Sequence, residues 1–263
     1  MIDLHSHIAW GYDDGAVDAA ESLAMARLYA DQGVATVAAT PHVTFGWATP
    51  PIDLPERCAQ LTAQWLSEGI ALELVPAAEI YLVGDTAERL AGRRDGCRPL
   101  GQSRYVLVEF NLGSSSAEAI RPLGDLLDGG WRPLLAHAER YGYFWKHPEA
   151  LADIAAMGVR LQVTAGSLLG EFGSAARALG ERLVRAELTA VVATDAHHAW
   201  RRRPNLAEGR ARLTELVGRV AADRLTHLNP AAMLADDDVT VAGDPTALLA
   251  DDRQQSFLGE LLR

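Results

Sequence analysis

The stretch Ile2-Asp3-Leu4-His5-Ser6-His7 is a short apolar run that ends on two imidazoles. Residues two apart on a strand face the same side, so a strand here aims both rings at one point. The pattern returns along the chain: apolar runs occupy residues 2–4, 35–39, 72–77, 105–108, 133–136, 159–163 and 190–193. Runs this short, nearly continuous and rich in β-branched residues, read as parallel strands buried on both faces. Residues 18–32, 55–68, 116–127, 148–157 and 175–186, lying between them, carry amphipathic helical periodicity. Strand–helix alternation repeated this often predicts an α/β protein. Polar residues follow six of the seven runs: His5 and His7, His42, Glu79, Glu109, His137, then Asp195 and His197. A barrel gathers functional groups at the carboxyl ends of many strands, whereas a doubly wound sheet gathers them at one switch point. Six contributing strands favour a barrel.

Composition sets the outer bounds. The chain has 263 residues, 49% hydrophobic and 22% charged, as an ordinary globular protein does. With 35 acids against 24 bases the net charge is −11, which argues against a general nucleic-acid or anionic-membrane binder. Only one base is a lysine, Lys146, so a Gly-Lys-Ser/Thr phosphate loop is excluded. Cys58 and Cys97 form neither a metal-finger spacing nor a disulfide framework. Six positions after each, where a cysteine phosphatase carries an arginine, stand Gln64 and Ser103, so that chemistry is excluded too. No basic-then-apolar leader opens the sequence and no run reaches the roughly 18 residues of a membrane span. A cytoplasmic protein with no membrane insertion is expected.

Nine side chains stand out: His5, His7, Asp14, His42, Glu79, Glu109, His137, Asp195 and His197. Carboxylates crowded into one buried mouth repel each other and lose hydration, and cations relieve both costs. Nine ligands exceed what one tetrahedral or octahedral ion takes, so two or three divalent ions are implied. Imidazole and carboxylate without thiolate suit manganese, iron or zinc. The four carboxylates contribute −4; one divalent ion leaves −2, whereas three give +2, which attracts a phosphate dianion. Water bound to such ions deprotonates near neutral pH and can attack phosphorus in line. Arginine forks would hold the phosphate oxygens, with Arg140, three residues past His137, and the Arg201-Arg202-Arg203 triplet as candidates.

Taken in order, Asp3-Leu4-His5-Ser6-His7-Ile8, Asp13-Asp14-Gly15, Ala39-Thr40-Pro41-His42, Ala78-Glu79-Ile80-Tyr81, Val108-Glu109-Phe110, Ala136-His137-Ala138-Glu139-Arg140-Tyr141, Gln162-Val163-Thr164-Ala165-Gly166-Ser167-Leu168-Leu169-Gly170 and Thr194-Asp195-Ala196-His197 resemble the polymerase-and-histidinol-phosphatase (PHP) superfamily. More narrowly, the chain resembles its bacterial protein-tyrosine phosphatases, the CpsB/CapC family of capsule and exopolysaccharide synthesis. The resemblance, which runs over roughly residues 1–210, implies a distorted (β/α)7 barrel; one domain is expected over residues 1–235, and the acidic, Leu-rich remainder, 236–263, reads as an appendage. It implies three ions, most simply manganese: one on His5, His7, Glu79 and Asp195, a second on Glu79, Glu109 and His137, a third on Asp14, His42 and His197. Arg140 and one of Arg202 or Arg203 would clamp phosphate, and the substrate would be phosphotyrosine on a bacterial tyrosine kinase. Two positions depart from the pattern, Ala138 for proline and Thr164 for asparagine, and neither is an assigned ligand. Other readings are a small-molecule phosphatase of the histidinol-phosphate type and a non-catalytic regulator that only binds a kinase.

Other features have plainer readings. Trp10, Tyr12, Phe45, Trp47, Tyr141, Tyr143, Phe144, Trp145 and Trp200 crowd the expected mouth, either as loop packing or as a rim that stacks on an aryl phosphate. Asp236-Asp237-Asp238-Val239-Thr240 matches an aspartyl-phosphatase pattern, but 23 residues follow it and none is lysine, so an acidic turn is expected. His147, His198 and His227 are expected at the surface or in local packing.

Overall fold

The structure, a computed structural model, describes residues 1–44 and 51–248. Phe45 and Trp47 of the expected rim, and residues 249–263 of the expected appendage, lie outside the described residues. Among the described residues nine strands follow one another: β1 (Ile2–Ser6), β2 (Thr36–Ala39), β3 (His42–Val43), β4 (Glu73–Pro76), β5 (Glu79–Tyr81), β6 (Tyr105–Glu109), β7 (Arg132–Leu135), β8 (Arg160–Thr164) and β9 (Thr189–Ala193). All pair in parallel, β1-β2-β4 in one sheet and β3-β5-β6-β7-β8-β9 in another. The helices are α1 (Ala19–Asp31), α2 (Leu54–Ser67), α3 (Thr86–Ala91), α4 (Ala117–Asp128), α5 (Pro148–Ala156), α6 (Ala165–Leu168), α7 (Ser174–Arg185), α8 (Leu206–Asp223) and α9 (Asn229–Leu234).

The two sheets are halves of one strand order. β2 runs on through Pro41 into β3, and β4 through Ala77-Ala78 into β5, so seven strand positions account for nine segments. Pro41 has no amide hydrogen to give a ladder, and the break falls there. Single bonds bridge it, from Ala77 N to Ala39 O at 2.9 Å and from Glu79 N to Pro41 O at 3.2 Å. At the other seam the first strand meets the last: Ser6 bridges Ala196, Asp195 N donates to His5 O and His7 N to Ala196 O, both at 2.8 Å. The β1–β2 register slips between Asp3 and Ser6, an irregularity of the kind that re-aims side chains beside a site.

Burial follows the runs read from the sequence. β1 and β9 are buried at every residue, because helices cover the outside and side chains fill the inside. Leu4, Ala38, Leu107, Leu134, Ala136 and Ala190 form an inner cluster that Met233 and Val239 join. Met25 and Tyr29 of α1 and Trp65 of α2 pack as a second cluster with Val37 and Leu74. A third spreads under α4, α5 and α7. Each fully buried large apolar side chain contributes about 1.5–3 kcal/mol.

The acidic turn at 236–240 has a structural task. Asp236 accepts from Arg104 N and Nε at 2.8 Å, the Tyr105 hydroxyl donates to Asp237 O at 3.0 Å, and Arg160 Nε donates to Val239 O at 2.7 Å. These contacts fasten the segment to the amino ends of β6 and β8.

Candidate metal centre

The carboxyl ends of the strands bring all nine singled-out side chains together. Glu79, 1% exposed at the start of β5, sits at the hub. Its Oε2 lies 3.2 Å from His5 Nε2, 3.3 Å from His7 Nε2 and 3.1 Å from His42 Nδ1, and its Oε1 lies 2.9 Å from His137 Nε2. Asp195 Oδ1 is 3.3 Å from His5 Nε2 and 3.4 Å from His7 Nε2. Glu109, at the end of β6, reaches His42 at 3.0 Å and His137 at 3.6 Å. Asp14 lies 3.4 Å from His197 Nε2 and 3.6 Å from His42 Nε2. Three groups have ligand atoms close enough to share an ion: His5, His7 and Asp195; His42, Glu79 and Glu109; and His7, Asp14, His42 and His197. His42 therefore belongs geometrically with both Glu79–Glu109 and Asp14–His197.

Supporting contacts fix which ring nitrogen is available. Gln162 Oε1 accepts from His5 Nδ1 at 3.1 Å and from the His137 amide at 2.8 Å. Asp13 Oδ2 faces His7 Nδ1 at 2.6 Å and accepts from His42 N at 2.9 Å, while its Oδ1 accepts from Gly15 N at 2.9 Å. His197 Nδ1 faces Asp195 O at 3.0 Å. In each case a proton on Nδ1 leaves the Nε2 lone pair free to ligate, the arrangement that orients metal-binding histidines. Gly15 is obligatory in this loop, since a Cβ would stand 2.2 Å from His7 O. His137 and Asp195 both take left-handed backbone, at φ 36° and 53°, so each strand end turns sharply to deliver its side chain.

The cluster demands positive charge. Burial disfavours a charged His7, yet Asp13, Asp195 and Glu79 outweigh it and hold the imidazole pKa well above its ordinary value. Burial is likewise overcome at His137, which Glu109 and Glu79 raise to about 9. Glu79 and Asp195, against the penalty of burial, are held well below the carboxylate range, His5 acting on both and Arg202 on Asp195. His197 goes the other way: burial and the neighbouring His7 push it down to about 4, so its ring is neutral. Among the described residues His137 Nδ1 is buried without a hydrogen-bond partner, and Glu79 Oε2 faces three imidazole nitrogens without a well-aligned hydrogen bond to any of them. Bound divalent cations fit this donor set, supplying the charge that the imidazoles otherwise take up as protons.

Above the cluster opens a cavity of about 180 Å³, lined by Asp14, His42, Glu79, Glu109, Leu112, His137, Arg140, Asp195, His197 and Arg202. Arg140 and Arg202 both donate to Asp195 Oδ2 at 2.5 Å. Arg203 does not reach the cavity: its guanidinium turns to Glu208 at 2.8 Å and to Pro204 O at 3.3 Å. The left-handed turn at Arg202, φ 49°, sends neighbouring side chains of the triplet in different directions. Much of the expected aromatic rim is core. Tyr12, Tyr141 and Phe144 are buried, with Tyr141 stacked on Phe110 at 4.2 Å. Trp10 lies under Arg57 and Tyr143 stacks on His147, while Trp145 and Trp200 are exposed. His198 pairs with Glu21 at 3.2 Å and stacks on Trp200.

Sequence reasoning missed Asp13 and Gln162 as supports for the candidate histidines, and Phe172, whose ring lies under Arg140 and Arg202. Asp13 stands beside a singled-out acid and Gln162 is a polar residue inside an apolar strand, so each left a trace. Phe172 left none.

Comparison with known proteins gives a consistent answer. The family model described as capsular polysaccharide synthesis, CpsB/CapC, matches residues 1–235. The chain is 37% identical over 199 residues to the tyrosine-protein phosphatase YwqE of Bacillus subtilis, covering 75% of this chain and 78% of that protein. It is 29% identical over 244 residues to the tyrosine-protein phosphatase CpsB of Streptococcus pneumoniae, covering 90% and 99%. Among solved structures, one from a study of YwqE and CpsB as metal-dependent tyrosine phosphatases superposes with a TM-score of 0.86 at 33% identity, covering 92% of this chain and 97% of that one.

Proposed function

Because the chain belongs to the CpsB/CapC family of capsular polysaccharide synthesis, we propose that it is a metal-dependent phosphatase acting on phosphotyrosine in protein. The observation that carries this reading is the convergence on Glu79, one carboxylate within 3.3 Å of His5, His7 and His42. His5, His7, Asp14, His42, Glu79, Glu109, His137, Asp195 and His197 are the proposed ligands of two or three divalent ions, manganese first and iron or zinc next. When bound, such ions activate water and offset charge on the phosphoryl oxygens.

The chain's own residues do the rest. Asp13, Gln162 and the Asp195 carbonyl keep a proton on Nδ1 of His7, His5 and His197, so Nε2 stays a lone-pair donor. Arg140 and Arg202 line the cavity and are positioned to fork phosphate oxygens. Cys58 and Cys97 are buried away from this cavity, and burial pushes their thiols up to about 12 and about 11, so neither is a nucleophile. The phosphotyrosine removed is proposed to lie on a bacterial tyrosine kinase governing polysaccharide export; the family description supports the link to capsular polysaccharide synthesis.

Assay of the purified protein with manganese on a phosphotyrosyl peptide and on histidinol phosphate separates the phosphatase readings. Preference for the peptide is expected, and preference for histidinol phosphate overturns it. His5→Ala should lose turnover together with bound metal; Arg140→Ala should lose at least tenfold in turnover with metal content intact, about 1.4 kcal/mol. Wild-type activity in His5→Ala would refute the ligand role.

A further inference from the structure

Arg140 and Arg202 converge on the same oxygen, Asp195 Oδ2, from the chain segments that follow β7 and β9. β8 lies between those strands. After β8 and α6 the chain loops back and brings Phe172 to both guanidinium groups, the central carbon of Arg140 being 4.2 Å from the ring centroid and that of Arg202 5.8 Å. Both distances fall within the range where a ring's electron-rich face attracts a cation. The loop is pinned from two directions. Glu171 accepts from Asn205 Nδ2 at 3.2 Å on each oxygen, and its amide donates to Gly166 O at 2.9 Å. A Cβ on Gly166 would stand 3.0 Å from Phe172 Cε2 and 2.5 Å from Glu171 Oε2, so the ring's seat depends on a glycine beneath it.

We propose that Phe172 is a positioning residue for phosphate binding: its ring holds the two guanidinium groups side by side over the cavity. This rests on the reading of Arg140 and Arg202 as the phosphate-binding pair. Two cations brought to one oxygen repel each other, and each sits on a long, rotamer-rich side chain. A shared aromatic face offsets the repulsion and keeps both forks gathered for the incoming dianion. Removing the ring leaves the charges in place but disperses them, so affinity for phosphate falls while the metal ligands are untouched.

The test is competitive inhibition of the metal-loaded enzyme by inorganic phosphate, with calorimetric binding of phosphate alongside. Phe172→Leu should raise the inhibition constant about tenfold, with metal content unchanged. Phe172→Trp, which keeps a cation-binding face, should restore the wild-type value or lower it. A wild-type constant in Phe172→Leu, or a Phe172→Trp as weak as the leucine variant, overturns the proposal. Arg140→Ala and Arg202→Ala run beside them: if both weaken phosphate and Phe172→Leu does not, only the role of the ring fails. If neither arginine variant weakens phosphate, the clamp itself fails and Phe172 with it.

Discussion

Replacing Asp13 by alanine removes a carboxylate whose side chain is 1% exposed and takes away the acceptor that faces His7 Nδ1, His42 N and Gly15 N. The contact with His7, at 2.6 Å, is the charge-assisted one. It fixes the ring's tautomer and makes Nε2 more basic, while the two backbone contacts hold the loop that carries Asp14 and the strand end that carries His42. Loss of such a supporting group costs about 10–100-fold in metal affinity, or about 1.4–2.7 kcal/mol. Asp13→Ala should fall at the upper end, because backbone and ring donors are lost together. Asp13→Asn should fall near tenfold, since one oxygen remains to accept but its amide opposes a donor. Calorimetric titration of metal-free protein with manganese, with bound metal counted after desalting, measures both. An Asp13→Ala protein that binds manganese with wild-type affinity and stoichiometry would refute the link between this contact and the metal centre.

Thiol chemistry and core packing give further tests. With the Cys58 and Cys97 thiols raised to about 12 and about 11, a smaller thiolate fraction exists at neutral pH than for a free cysteine. Iodoacetamide at neutral pH should leave turnover unchanged, as should Cys58→Ser paired with Cys97→Ser in any variant that stays folded; inactivation that tracks alkylation would contradict this. Trp65→Ala, in a fully buried position on α2, should destabilise the fold by about 3–5 kcal/mol in urea unfolding, and a change below 1 kcal/mol would show the site collapses around the cavity.

The strands that ran uninterrupted through apolar sequence were legible: residues 105–108, 159–163 and 190–193 fall inside β6, β8 and β9 or within a residue of them. The two divided strands were half legible. Runs 35–39 and 72–77 signalled β2 and β4, but β3 and β5 are two and three residues long, too short for periodicity to register. His42 and Glu79 were nevertheless singled out, because a lone polar group just beyond an apolar run is conspicuous wherever the hydrogen-bond ladder resumes. Backbone turns at His137 and Asp195 had no signal, since neither residue type requires φ above zero. The choice between Arg202 and Arg203 was illegible for a related reason: adjacent identical side chains differ only in the turn they sit on, a left-handed turn at Arg202 closed by His197 N donating to Arg202 O. Phe172 illustrates the remaining blindness, as one aromatic in a glycine-flanked loop says nothing about which cations the barrel will lay across it.

The seam between the first and last strands has a consequence for how the protein matures. Ser6 and Ala196 are 190 positions apart, and His5 and Asp195 flank the same bridge. Closing so long a stretch of chain is entropically late and slow compared with forming any single helix. During synthesis, His5 and His7 emerge early and wait for Asp195 and His197. Of the three groups able to share an ion, His42, Glu79 and Glu109 lie wholly before the final strand, whereas the other two are complete only once that strand has docked and brought Asp195 and His197 to the early histidines.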